Sequence, residues 1–254
     1  NKAVFSPDMT KIFTVGWDGR ITERMLETTE TLSVFGEGVN CIVYDTSNNR
    51  LYSDSKQGSI LVYDATTREP IFQIKAHSQQ INEIQLSPDG RFLASASNDG
   101  SVKLWDPVGG KLLQEFKVLG FANDVCFSSD ADMLAYCSSD GMAKIVSLPS
   151  FQLIREIKAH EASVSDISFS GNNQWLSTTA MDGKLKIWNL KSFELLHELN
   201  AHSFLVYDAE FSVDNRYIAT CGTDKTVKLW DVKTGSIIRL YTGHIHKLSG
   251  VDIC

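Results

Sequence analysis

An all-β fold built from six copies of a four-stranded antiparallel unit follows from three observations on this 254-residue sequence. Short turn segments recur at a near-constant interval, a strand position often aromatic follows each of them at a fixed distance, and alternating apolar stretches flank the turns. A period near 40 residues marks a repeat architecture and takes precedence over any single element. The turns are Trp17-Asp18-Gly19, Lys56-Gln57-Gly58, Asn98-Asp99-Gly100, Ser139-Asp140-Gly141, Met181-Asp182-Gly183 and Thr223-Asp224-Lys225, spaced 39 to 42 residues apart. Six residues beyond each central position stand Arg24, Tyr63, Trp105, Val146, Trp188 and Trp230.

The turns have a mechanism in backbone sterics, because Gly and Asp accept the positive φ angles that tight hairpins require. Before them run alternating stretches such as RFLASAS (91–97) and RYIATCG (216–222), and after them others such as SVKLW (101–105). Apolar and polar residues with a period of two read as strands of about five residues. SPDG at 87–90 and SPDM at 6–9 place a second turn upstream, with Pro presetting its φ, and TGS (234–236) and PVGG (107–110) supply a third. Three turns divide each period into four strands, a to d in chain order, which is one blade of a β-propeller. Strands held between neighbouring blades should be apolar on both faces, and DISF (166–169), AEF (209–211) and IIRLY (237–241) are dense in large apolar groups. A helical reading fails: no stretch keeps apolar residues at three and four spacing for more than about two turns, and the β-branched and aromatic content favours strands.

The blades run over 1–35, 36–75, 76–117, 118–158, 159–200 and 201–242. Residues 243–254 open a further one, with strand a of blade one at 1–5 and strand a of a seventh at 249–254. Because a ring must close to protect its sheet edges, a seven-bladed ring is expected, with about forty residues of it outside this sequence in a longer protein. A six-bladed ring whose last strand replaces or supplements the first is the alternative.

Composition removes several classes. With 43% hydrophobic and 22% charged residues the chain can bury a large core. Its longest apolar runs are a few residues, such as Ile42 to Tyr44, against the roughly 20 that cross a bilayer, so membrane insertion is not expected. The formal charge is −7 with Lys and Arg scattered, which leaves no basic stripe for phosphates and makes nucleic acid an unsuitable main partner. Cys41, Cys126, Cys137, Cys221 and Cys254 are an odd number with no CxxC pair, so neither a metal site nor a disulfide framework is expected. A reducing intracellular compartment fits best, the cytoplasm first, with nuclear or cytoskeletal or ciliary association as the alternatives. The opening NKAVFSPD is neither a secretory signal nor a Met start, which puts the true N-terminus upstream.

The segments NDGSVKLWD (98–106), MDGKLKIWN (181–189) and TDKTVKLWD (223–231), with Ala76-His77, Ala159-His160, Ala201-His202 and Gly243-His244 upstream, carry a resemblance. The first three histidines precede the turn Asp by 22 residues and the strand Trp by 28. Over essentially its whole length the chain resembles the WD40-repeat β-propeller family. The resemblance implies a buried hydrogen-bonded tetrad within a blade. Its members would be His77, Ser95, Asp99 and Trp105 in blade three, His160, Thr178, Asp182 and Trp188 in blade five, and His202, Thr220, Asp224 and Trp230 in blade six. Blade two offers Phe35, Ser53, Gln57 and Tyr63, blade four Leu119, Tyr136, Asp140 and Val146, and blade one has Arg24 in the Trp place. No tetrad is expected there.

A hydroxyl, a His and an Asp in proximity also invite a hydrolase reading, but a single active site needs one constellation with an oxyanion site and a cleft. Three copies at the architectural period, each with a Trp, are what internal bracing predicts. Zinc fails likewise, since four of the six histidines occupy the repeat position and His197 and His246 have no partner at ligand spacing. No catalytic residue, metal, cofactor or small-molecule substrate is expected.

The resemblance implies a non-catalytic platform that holds other proteins, and in this family the face carrying the b–c turns is the usual recognition surface. Trp17, Lys56, Asn98, Ser139, Met181 and Thr223 should ring a central channel there, with Asn40, Asn82, Asn123, Ser165 and Tyr207 below them. The candidate partner-binding residues are Trp17, Lys56, Asn98, Met181, Phe204, Leu205 and Tyr207. A structural subunit or domain of a larger multiprotein assembly is the leading role. The alternative is a peptide-recognition module, such as a ubiquitin-ligase substrate receptor or a reader of modified tails. Trp230-Asp231-Val232-Lys233 lacks the Arg of the adaptor motif WDxR, and a channel ring rich in Asn and Ser offers no aromatic cage.

Overall fold

The computed structural model describes residues 2–253, and among them every regular element is a β-strand. The strands fall into six four-stranded antiparallel sheets, each made of consecutive strands in chain order. Blade one holds β1 (Ala3–Phe5), β2 (Lys11–Val15), β3 (Ile21–Met25) and β4 (Thr31–Phe35). Blade two holds β5 (Ile42–Asp45), β6 (Arg50–Asp54), β7 (Ile60–Asp64) and β8 (Pro70–Ile74), and blade three β9 (Ile81–Leu86), β10 (Leu93–Ser97), β11 (Ser101–Trp105) and β12 (Leu112–Lys117). In blade four follow β13 (Ala122–Phe127), β14 (Met133–Ser138), β15 (Met142–Ser147) and β16 (Leu153–Lys158). Blade five has β17 (Val164–Phe169), β18 (Trp175–Ala180), β19 (Lys184–Asn189) and β20 (Leu195–Asn200), and blade six β21 (Val206–Phe211), β22 (Tyr217–Gly222), β23 (Val227–Asp231) and β24 (Ile237–Tyr241).

Two compact units divide the chain, residues 1–117 with blades one to three and residues 118–254 with blades four to six. Inside each, the first strands of successive sheets touch, β1 with β5 and β5 with β9, and β13 with β17 and β17 with β21. The apolar cores lie between sheets. Leu185 and Ile187 of blade five pack with Val206, Ala209, Phe211 and Ile218 of blade six. Phe13, Val15 and Ile21 of blade one pack with Ile42, Leu51 and Tyr63 of blade two. Middle strands are therefore buried on both faces and read as nearly continuous small and apolar runs, as in LASAS of β10, which is buried throughout.

Five of the six a–b turns share one chemistry, in which a Ser hydroxyl bonds the acid or amide two residues on. Ser6–Asp8, Ser87–Asp89, Ser128–Asp130, Ser170–Asn172 and Ser212–Asp214 all do so at 2.6–2.8 Å. In blade two Asp45 accepts from Ser47 N and Asn48 N instead. The outer strand β24, IIRLY, departs from the expectation of an apolar strand covered on both faces, for it is exposed at every position. It is the last strand of its sheet and pairs with β23. Residues 249–253 form no ladder, in contrast to the strand expected at 249–254. Strand pairing needs a neighbour of the same sheet, and the described residues offer none. The final position of that expected strand, Cys254, lies outside the described residues.

Candidate functional site

The site is built on the edge of the sheets that bears the b–c turns. The turn glycines interlock consecutive blades: Gly141 O accepts from Ala159 N and His160 N, and Gly183 O from Ala201 N and His202 N, at 2.9–3.1 Å. Both glycines sit at positive φ, and a Cβ on either would lie 2.2–2.3 Å from the carbonyl oxygen of the following His. Only glycine satisfies the dihedral and the close approach together.

That interlock seats each His beside its own blade. His77 Nδ1 lies 3.0 Å from Asp99 and Nε2 2.7 Å from Ser95 Oγ, while Trp105 Nε1 donates to the same Oγ at 2.9 Å. In blade five His160 meets Asp182 and Thr178 Oγ1 at 3.0 Å each, and Trp188 Nε1 donates to that hydroxyl at 3.0 Å. In blade six His202 meets Asp224 at 2.8 Å and Thr220 at 2.9 Å, with Trp230 donating to Thr220 at 3.1 Å. The donor sequence is internally consistent if indole N–H points to hydroxyl, hydroxyl O–H to His Nε2, and His Nδ1–H to carboxylate. This requires neutral imidazole, and burial pushes all three histidines below their ordinary range. Burial alone would raise Asp99 and Asp224, but hydrogen bonds from Ser101 and Thr226 and the adjoining His hold both below the usual carboxylate range.

Ser95, His77 and Asp99 thus have the distances of a hydrolytic triad. Chemistry at the hydroxyl is blocked by its surroundings: Ser95, Thr178 and Thr220 are fully buried, and an indole N–H occupies the oxygen that would attack.

The remaining blades solve the same position differently. Phe35 and Tyr63 in blade two form an edge-to-face pair at 5.3 Å. The Asp140 carboxylate of blade four bonds within its own turn, accepting from Ser138 Oγ at 2.5 Å and Met142 N at 3.1 Å. Its expected His-place residue, Leu119, needs correction. Ser139 N donates to Phe121 O as Met181 N does to Ser163 O, which puts Val118 in the His register and leaves Leu119 one residue further on, 76% exposed. A one-residue shift in the connecting loop moves the side chain from the seam to solvent. In blade one Arg24 is exposed, whereas the adjacent Glu23 is fully buried and accepts from Arg68 Nε and Nη2 at 2.7 Å and from Ser33 Oγ at 2.6 Å.

Of the candidate partner residues, Trp17, Lys56, Met181 and Phe204 are exposed, with Trp17 at 82%, Met181 at 46% and Phe204 at 61%. Asn98, Leu205 and Tyr207 are half-buried: Asn98 accepts from Asn82 Nδ2 at 2.7 Å, and Lys247 Nζ donates to Tyr207 Oη at 3.0 Å while lying over its ring. The lower ring members are braces, since Asn123 Nδ2 donates to Val164 O at 2.5 Å and Ser165 Oγ bonds Val206 O, each joining one blade to the next. Phe121, 51% exposed on the same edge, was not anticipated; with Leu119 it forms an exposed apolar pair in a connecting loop, and Leu-Gly-Phe at 119–121 is the sequence signal for it. No group of three or more His, Cys, Asp or Glu among the described residues could hold a metal ion. No helix of the structure is long and apolar enough to cross a membrane.

Comparison with known proteins places this geometry. The bovine WD repeat-containing protein 1 is 39% identical over 79 residues, 30% of this chain and 13% of its own length. Eukaryotic translation initiation factor 3 subunit I of Bombyx mori is 29% identical over 90 residues, 35% of this chain and 27% of its own. Ribosome assembly protein 4 of Saccharomyces cerevisiae is 44% identical over 48 residues, 19% of this chain and 9% of its own. The chain thus spans under a third of the length of each of these relatives. The WD domain, G-beta repeat matches residues 68–106, 110–147, 151–189 and 193–231, each match beginning near an outer strand and ending at the c strand of the next blade. With more than half of its residues in those four repeats and six four-stranded antiparallel blades, the chain belongs to the WD domain, G-beta repeat family.

Proposed function

We propose that this chain is a non-catalytic scaffold for other proteins, a structural subunit or domain of a larger multiprotein assembly, working in the cytoplasm. The observation that carries this reading is the closure of all three His–hydroxyl–Asp sets on buried partners, which leaves them to brace the blades. Two relatives whose names describe a translation initiation factor subunit and a ribosome assembly protein support the assembly role. The charge of −7 disfavours nucleic acid as the main partner.

The proposed partner surface in residues 118–253 is the turn-bearing edge with Leu119, Phe121, Met181 and Phe204 exposed on three consecutive blades. Met181 and Phe204 are close neighbours, because the carbonyl of Phe204 borders the Met181 turn at Gly183. Exposed Met and aromatic side chains gathered on one edge are common at protein interfaces. In residues 2–117 Trp17 and Lys56 are the proposed contacts. The test is affinity purification of the tagged protein beside a variant carrying Leu119→Ser, Phe121→Ser, Met181→Ser and Phe204→Ser. Loss of co-purifying proteins at an unchanged melting temperature is expected. Retention of all of them would dismiss this edge as the docking surface.

A further inference from the structure

The first strands of blades four, five and six carry an acid at the same place, Asp124 in β13, Asp166 in β17 and Asp208 in β21, 42 residues apart. Two of the three accept the same bond. Ile167 N donates to Asp124 Oδ2 at 2.9 Å, and Val251 N donates to Asp208 Oδ2 at 2.8 Å, each from 43 residues downstream.

Asp166 breaks the series. Its Oδ2 is shielded from solvent and no protein N–H or O–H reaches it, and the group at hydrogen-bond range is the carboxyl of Asp208. Two carboxylates cannot face each other in a shielded place with both ionised; one of them must carry a proton. The titratable groups that face Asp166 are Asp124 and Cys126 on β13, Cys137 on β14, Asp208 and Glu210 on β21 and Cys221 on β22. β18 carries no charged residue, and Lys144 on β15 is held by Glu156 at 3.2 Å. Burial, followed by the charges of Asp208, Asp124 and Glu210, pushes the Asp166 carboxyl well up.

We propose that Asp166 keeps its proton at neutral pH and donates it to Asp208, so that the two form an acid–carboxylate bridge from β17 to β21, a pH-sensitive latch that also steadies Asp208 as the acceptor of Val251 N. Loss of that proton places a second negative charge against Asp208, with Asp124 and Glu210 near, and loosens both the joint between blades five and six and the 249–253 segment.

The sign is opposite to that of an ordinary salt-bridged Asp. The folded chain holds a proton that the unfolded chain releases above a pH of about 4, so stability falls as pH rises until Asp166 itself ionises. Infrared spectroscopy at neutral pH should show the carbonyl-stretch band of a protonated carboxylic acid in the wild-type chain and none in Asp166→Asn. In urea unfolding between about pH 5 and about pH 7, the wild-type unfolding constant should rise up to tenfold per pH unit relative to that of Asp166→Asn. Should Asp166→Asn not fold, Asp166→Ser, which also lacks the carboxyl, gives the same comparison. Absence of the band from the wild type, its persistence in either variant, or parallel pH slopes would overturn the latch.

Discussion

The seam between blades one and two and the seam between blades five and six place opposite chemistry at one structural position. On the c strand of blade five Ile187 precedes Trp188 and is fully buried among the apolar side chains of blade six. On the c strand of blade one Glu23 precedes Arg24, equally buried, and its carboxylate is closed by Arg68 from blade two, by Ser33, and by Lys11 at 3.1 Å. Burial alone would raise Glu23; the hydrogen bonds from Arg68, Ser33 and Lys11 hold it below its ordinary value. One seam follows the hydrophobic effect and tolerates any well-packed apolar group. At that position the other, otherwise apolar, seam depends on a particular partner, because a buried charge without its counterion costs several kcal/mol. Blade one, which lacks a tetrad, is thus tied both within itself and to blade two through one buried carboxylate.

The sharpest way to break this contrast is to remove the counterion. Arg68→Ala should destabilise residues 1–117 by about 3 kcal/mol, the low end for a broken buried pair because the Arg68 side chain is 30% exposed. Glu23→Leu, which restores the apolar seam of the other blades, should leave the urea midpoint within about 1 kcal/mol of wild type or raise it. Equal losses in both variants would show that an apolar group cannot take the place of the ion pair, and the contrast drawn between the two seams would fall.

A second comparison lies within residues 118–253. Asp182→Ala leaves His160 Nδ1 without an acceptor inside a buried set and should cost about 1–3 kcal/mol. Asp140→Ala in blade four loses only the bonds of its own turn and should cost about 1 kcal/mol or less. Thermal melts of the two variants measure the difference, and no separation between them would remove the distinction between complete and incomplete blades.

The smallest effect is set by pH. Burial lowers His77, His160 and His202, so below the unfolded value of about 6.5 the unfolded chain binds more protons and folded stability falls as pH falls. Urea midpoints between about pH 7.5 and about pH 5.5 should show this decline most clearly in Asp166→Asn, where the opposing contribution of Asp166 is gone. A flat profile in that background would mean that the histidines are not held neutral by burial.

Much of the tetrad chemistry was legible because each set lies within one period: the 22-residue and 28-residue offsets from His160 to Asp182 and Trp188 survive folding as hydrogen bonds through Thr178. Leu119 was misplaced because blade four has no His to fix the alignment, and one residue of slack in a loop changes which side chain meets the seam. Tyr207 was legible as an edge residue, whereas its cover, Lys247, comes from the opening of the following repeat, and the repeat pattern does not show that this side chain reaches back to Tyr207.

The sequence alone determined the turns, the four-strand period and the members of each complete set, since these rest on local backbone sterics, period-two alternation and fixed offsets along the chain. Only the tertiary structure decided that Glu23 finds Arg68, that Asn123 and Ser165 brace one blade to the next, and that Asp166 faces Asp208. Those contacts join different blades, and their register depends on how twisted sheets pack face to face, which the residues of one repeat do not encode.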